Sequence, residues 1–203
     1  MKYMAPFIKR FSSAVYPVFT SRDASKFLTE LRATNAYINF FLKYLIRRGK
    51  IVKITKGIYS FSNDAELYGF GFQPFYYGLQ HALTLNDLWS EQTMPVIITT
   101  RNVKTGKREI GNGNAKIFIR RIKPGCFFGF SSILYGNRYL PVSDPEKTLI
   151  DFVYFRRTLS SKTYYEIVKR IDKKKLNEYL KHYNSKTVKT VRNIVEKYGQ
   201  LHL

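Results

Sequence analysis

The sequence predicts an α+β protein: an N-terminal winged helix-turn-helix over residues 1–64, then a mixed α/β domain over 65–203 that ends in basic helices. Three observations predict it. Three helix-period segments and a pair of short alternating runs follow one another within residues 1–62. Beyond residue 74, β-branched and aromatic strand candidates are interleaved with helix starts. The chain carries 35 Lys+Arg against 14 Asp+Glu, a net charge of +21, and the charge is densest in residues 1–62, where 12 basic residues face 2 acidic ones.

The first helix is expected over about 3–13, with Phe7, Ile8 and Phe11 on one face. Pro17 disfavours helix for the residue before it, so 16–19 reads as extended. Thr20 is a helix N-cap with Asp23 three residues on, a variant of the capping box. The second helix then runs over about 21–31 and buries Ala24, Phe27, Leu28 and Leu31. In the third, Ile38, Phe41, Leu42 and Leu45 fall at i, i+3, i+4 and i+7, which is one apolar stripe. Arg47 and Arg48 favour the dipole of its last turn, and Gly49 stops it. Residues 51–54 and 58–61 read as strands joined by a tight turn, in which Gly57 supplies a positive φ.

Residues 63–73 (NDAELYGFGFQ) read as a linker. The expected elements beyond it are a helix over about 74–85 and strands at 96–100, 116–121, 126–130 and 138–142. Turns fall at 104–107 and 111–114. A helix opens at Ser143-Asp144-Pro145-Glu146, with Ser143 as N-cap and Glu146 closing a capping box. Two or three basic helices occupy about 161–200, with breaks near 171–172 and 183–185.

So basic a chain seeks polyanions: nucleic acid first, an anionic membrane surface or acidic protein after that. The order of the first segments assigns the task. In a winged helix-turn-helix the third helix enters the major groove of duplex DNA, and the hairpin lies along the backbone. Asn35, Tyr37 and Asn39 lie off the apolar stripe and are the base-reading candidates, since Asn pairs bidentately with an adenine edge. Lys43, Arg47, Lys50, Lys53 and Lys56 are placed for phosphates, which set affinity and register. Thr20 and Ser21 open the second helix, whose first amides are available to a phosphate. Two copies on paired half-sites would suit such a unit, although no stretch commits to a homodimer interface.

Other chemistry finds little footing. The single Cys126 leaves no intramolecular disulfide, and His81, His182 and His202 are not at metal-ligand spacing, so neither metal nor cofactor is expected. The sequence holds no phosphate-cradling Gly loop, no nucleophile–base set and no signal peptide, and Gly69-x-Gly71 lacks the strand a nucleotide fingerprint needs. Asp144, Glu146 and Asp151 mimic an acidic metal triad, but helix capping explains them better. The expectation is a non-enzymatic cytoplasmic protein that does not enter membranes. An RNA-binding module that stacks bases on its 16 Tyr and 16 Phe is the alternative.

Three stretches carry a more specific resemblance: PFYYGLQHALTLNDLWSEQTMPVIITT, IFIRRIKPGCFFGF and LPVSDPEKTLIDFV. Pro74, Tyr76, Tyr77, Ala82, Leu83, Thr99, Thr100, Phe127, Phe128, Gly129, Asp144, Pro145, Glu146, Lys147, Leu149 and Asp151 resemble the AbiEi-type antitoxins of type IV toxin–antitoxin systems. The likeness covers about residues 15–155. It implies an antitoxin-like second domain, an autorepressor that binds promoter repeats in double-stranded DNA, and an antagonist of a nucleotidyltransferase-like toxin. A stand-alone DNA-binding regulator with no toxin partner keeps the same fold. The chain departs from the family in the charge of residues 144–203, where 14 basic residues face 7 acidic ones.

Overall fold

The computed structural model describes residues 2–12, 15–111, 113 and 115–200. Ser13 of the expected first helix, Asn112 and Asn114 of an expected turn, and His202 lie outside the described residues. The architecture is α+β, with two sheets among the described residues. The chain divides into two compact units, one of residues 1–73 and 107–117, the other of 74–106 and 118–203.

The first unit runs α1 (Met4–Ser12), β1 (Val18–Thr20), α2 (Ser21–Glu30), α3 (Asn35–Arg47), β2 (Val52–Thr55) and β3 (Ile58–Ser60). Its sheet is antiparallel in the order β1-β3-β2, with Val18 and Val52 both opposite Ser60. The helices follow from their caps. Thr20 accepts from the Asp23 amide while Asp23 accepts from that of Thr20, and Thr34 accepts from the Tyr37 amide; each cap is worth about 1 kcal/mol. Gly49, at φ +64, ends α3, and the Lys50 amide closes back on the Leu45 carbonyl.

Ile38, Phe41, Leu42 and Leu45 are the buried residues of α3. They meet Phe7, Phe19, Ala24, Leu28 and Ile51 in one core. Phe7 is its centre: its ring lies 5.1 Å from Phe41, 5.4 Å from Phe19 and 4.7 Å from Phe11.

Residues 63–73 are not a linker. Asp64 caps a 3-10 helix, Ala65–Phe72, that buries Leu67, Tyr68 and Phe72. Gly71 is packed so tightly that a Cβ would meet Ile58 Cγ2 at 2.3 Å, and Phe70 stacks on Tyr16 at 3.8 Å. Aromatic packing holds the segment to the first unit.

The remaining elements are β4 (Phe75–Tyr77), α4 (Leu79–Leu85), β5 (Val96–Thr99), β6 (Gly106–Ile110), β7 (Ala115–Arg121), β8 (Phe130–Tyr135), β9 (Arg138–Ser143), α5 (Pro145–Tyr154), α6 (Ser161–Lys169), α7 (Lys173–Leu180) and α8 (Ser185–Gly199). The sheet order is β6-β7-β5-β4-β9-β8. In the second unit β4 lies antiparallel to β5 and parallel to β9, and β5 lies parallel to β7. The core joins Tyr76, Val96, Ile98 and Ile122 to Leu149, Ile150, Phe152, Ile167, Leu176 and Val191.

Two expected elements are corrected here. The helix over 74–85 is a strand followed by a helix. Phe75, Tyr76 and Tyr77 are buried strand residues, and Gly78 turns the chain where a Cβ would strike Ile98 Cδ1 at 2.3 Å. The strand at 126–130 is instead a 3-10 turn, Pro124–Cys126, and β8 starts only at Phe130, because Pro124 supplies the turn and removes a ladder donor.

Candidate nucleic-acid interface

On α3, the exposed Asn35, Asn39, Lys43 and Arg47 follow one another at four-residue steps. That spacing keeps them along one side of the helix, away from the buried stripe. Lys50, Lys53 and Lys56 are exposed on the hairpin that follows. Among the described residues, none of these five cations has a carboxylate within ion-pair distance. Phe40, 55% exposed, lies on the same helix, and the Arg48 guanidinium sits 5.5 Å from the Tyr44 ring.

The hairpin is fixed to the start of α2. The Ser21 amide donates to the Gly57 carbonyl at 2.8 Å, and Gly57 holds φ +75. This corrects the expectation for Thr20 and Ser21. The Ser21 amide is taken by the turn, the Asp23 amide by Thr20 Oγ1, and the Asp23 carboxylate adds negative charge at the helix start. A phosphate finds those amides occupied.

Tyr37 is corrected as well. Its ring stacks on Phe41 at 5.8 Å and meets Tyr3 edge-on at 5.2 Å, and its hydroxyl is buried with no hydrogen-bond partner among the described residues. Burial, and then the neighbouring Tyr3, push its pKa up. Tyr37 packs α1 against α3, and Asn35 and Asn39 remain as exposed polar side chains. Arg22, Lys26 and Arg32 are further exposed cations, not foreseen, around α2 and the turn after it. Their sequence signal was charge beside the expected turn. Within the same unit, Arg108 donates to Thr55 Oγ1 of β2 at 2.6 Å, so this arginine of the 107–117 segment is anchored.

The DPEKTLID stretch builds a second polar cluster, in the C-terminal unit. Asp144, not Ser143, caps α5: it accepts from the Lys147 amide, while Ser143 ends β9 and bonds Thr148. Glu146 closes no capping box; it accepts from the Asp172 amide at 2.7 Å and pairs with Lys175 at 3.2 Å. Lys175 also reaches Asp144, at 3.0 Å, and Tyr179 donates to Asp144 at 2.9 Å. Burial, and then that bond, hold the Tyr179 hydroxyl up at about 12.

Lys147 and Asp151 form a fully buried ion pair one helical turn apart. Tyr76 donates to Asp151 at 2.7 Å, and the Lys147 ammonium lies 5.2 Å from the Tyr76 ring and 5.7 Å from that of Phe128. Burial pushes the Asp151 carboxyl up against the opposing pull of Lys147 and Tyr76. Among the described residues no group of three His, Cys, Asp or Glu is arranged to hold a metal ion.

Gly129 makes room for this pair. It holds φ +72, and a Cβ there would lie 2.9 Å from Lys147 Cβ and 2.8 Å from Tyr179 Cε2. Gly129→Ala is expected to cost about 2–4 kcal/mol, from left-handed strain plus overpacking. Denaturant titration checks this, and a loss under about 0.5 kcal/mol, the scale of a neutral surface change, would mean the turn yields freely.

No family model matches the chain, and no curated protein matches it. Its fold is similar to that in the crystal structure of RV2827C protein from Mycobacterium tuberculosis, with a TM-score of 0.65 and 14% identity, over 98% of this chain and 76% of that one. Among the described residues no helix is long and apolar enough to cross a membrane.

Proposed function

We propose that the N-terminal unit is a winged helix-turn-helix that binds double-stranded DNA, and that the protein is a sequence-specific transcriptional regulator without enzymatic activity. The observation that carries this reading is the run helix, strand, helix, helix, strand, strand, with sheet order β1-β3-β2, in a unit whose unpaired cations line α3 and the following hairpin. In such a unit α3 reads the major groove and the β2–β3 hairpin is the wing. Asn35 and Asn39 are the base-reading side chains, and Lys43, Arg47, Lys50, Lys53 and Lys56 meet phosphates.

An RNA-binding reading would have Phe40 and Tyr139 as its exposed Phe and Tyr side chains among the described residues, with other tyrosines half-buried. The resemblance of residues 74–151 to AbiEi-type antitoxins extends the proposal. The protein represses its own promoter, as a pair of copies on repeats, and its second unit opposes a nucleotidyltransferase-like toxin.

Gel-shift titration of the full chain tests the DNA reading. The expected result is tighter binding to the chain's own upstream region than to random duplex of equal length. Asn35→Ala should narrow that preference by about 1–3 kcal/mol, the discrimination carried by one bidentate base contact. Equal affinity for the two duplexes in the unsubstituted protein would overturn sequence-specific binding. Co-expression with the product of the adjacent reading frame tests the antitoxin extension, where failure to relieve its growth arrest would leave a regulator alone.

A further inference from the structure

A cavity of about 270 Å³ opens in the C-terminal unit, beside the first turn of α4, the start of β5, the middle of β7 and the segment after α5. Leu79, Val96 and Phe118 give it an apolar wall, and Arg120 and Arg157 line it with two guanidinium groups. Gln92 and Thr93 add neutral polar groups at its edge. Its size is just under the roughly 300–1,000 Å³ of ordinary ligand pockets, which favours a small occupant.

Arg120 and Arg157 bring two positive charges to the same cavity. Among the described residues neither has a carboxylate within ion-pair distance. The Arg120 guanidinium is held over two rings, 4.6 Å from Phe118 and 5.5 Å from Phe155, and its Nε is buried with no hydrogen-bond partner. Burial, and then the charge of Arg157, push the Arg120 pKa below its ordinary value. An anion between the two guanidinium groups would relieve their repulsion. Leu79 adds an independent sign. It holds φ +55, a left-handed conformation costly for a branched side chain, on the wall of this cavity. Strain of that kind clusters at ligand sites.

We propose that this cavity binds a small organic anion, with a phosphate or carboxylate head held by Arg120 and Arg157 and a flat apolar body against Leu79, Val96 and Phe118. Paired guanidiniums suit either head, because both present oxygens that accept parallel N–H bonds. The site does not depend on the DNA reading, and failure of the gel shift would leave it standing.

Isothermal titration calorimetry of the full chain, free of nucleic acid, tests it with phenyl phosphate, benzoate and inorganic phosphate. Saturable binding of phenyl phosphate or benzoate, tighter than inorganic phosphate, is expected, and the better of the two identifies the head. Arg157→Gln changes an exposed side chain, so the fold should survive. It should weaken binding by about tenfold or more, the size of a lost charged hydrogen bond. Arg120→Gln should do the same, and Lys174→Gln, an exposed lysine of α7, should not. The proposal is overturned if no probe binds saturably at millimolar concentration, or if inorganic phosphate binds as tightly as the aromatic probes. Equal weakening by Lys174→Gln, or unchanged binding by Arg157→Gln, would overturn it too.

Discussion

Asp151→Ala is expected to destabilise the protein by about 3–5 kcal/mol, the cost of leaving a buried charge without its partner. The Lys147 side chain is fully buried, and the Tyr76, Phe128 and Tyr183 rings around its ammonium offer only weak compensation. Removing the carboxylate also strands the Tyr76 hydroxyl, which donates to Asp151 Oδ2. Lys147→Met together with Asp151→Leu should recover part of the loss, because an apolar pair of similar volume leaves no charge to desolvate and only the stranded Tyr76 hydroxyl remains. Tyr76→Phe should cost about 1.5–3 kcal/mol, the scale of one hydrogen bond to a charged acceptor. Trp89, the single tryptophan, packs against the core that holds the pair, so its fluorescence in a denaturant titration reports the relevant unit. A double variant as unstable as Asp151→Ala would mean that the site needs its charges for packing geometry, and the desolvation argument would fail. The pair would then belong with polar groups that specify one arrangement of a core.

The elements legible in the sequence were those set by short-range rules. The stripe Ile38, Phe41, Leu42 and Leu45, the Thr20–Asp23 box and the stop at Gly49 need only neighbours three to five residues away, and all three are present. What escaped depended on distant partners. Phe75, Tyr76 and Tyr77 form a strand because Thr99, Ile98 and Ile97 lie opposite them, and a short apolar run has no periodicity that says so. Residues 63–73 look like a loop until Gly71 meets Ile58. The sequence presents Tyr37 as a surface ring and the Ser21 amide as open, because the residues that engage them, Tyr3 and Gly57, come from other elements. The cap at Asp144 was missed by one position, since Ser143 is an equally good capping residue. Its hydroxyl is instead drawn to Thr148. For the candidate interface, the exposed cations were legible from charge and spacing. The Arg120–Arg157 cavity was not, because β7 and the end of α5 meet only in the fold.

Replacing Lys43, Arg47, Lys53 and Lys56 together by Ala is expected to weaken DNA binding by on the order of a hundredfold or more at low salt, through lost counterion release. The slope of log K against log [salt] should fall by about 0.9 for each phosphate contact removed, hence by about 3–4 if all four meet phosphates. All four side chains are exposed and have no carboxylate partner among the described residues, so stability should stay within about 0.5 kcal/mol of the parent. That separation matters, because a net charge of +21 binds any polyanion to some degree and affinity alone does not locate the interface. The control is a matched removal of charge from α8, with Lys186, Lys189, Arg192 and Lys197 replaced by Ala. Both variants lose the same four charges, so long-range attraction falls equally in each. If α3 and the hairpin touch the duplex, the first variant alone loses slope and the second loses only a modest part of its affinity. Equal slopes in the two variants would mean diffuse attraction, and a larger loss from α8 would move the interface to the C-terminal helices. Sequence preference then divides the labour within the first unit. The four-cation variant should bind every duplex more weakly while keeping its ranking of sequences, and Asn35→Ala should flatten the ranking at nearly unchanged salt slope, because phosphate contacts carry register and base contacts carry choice.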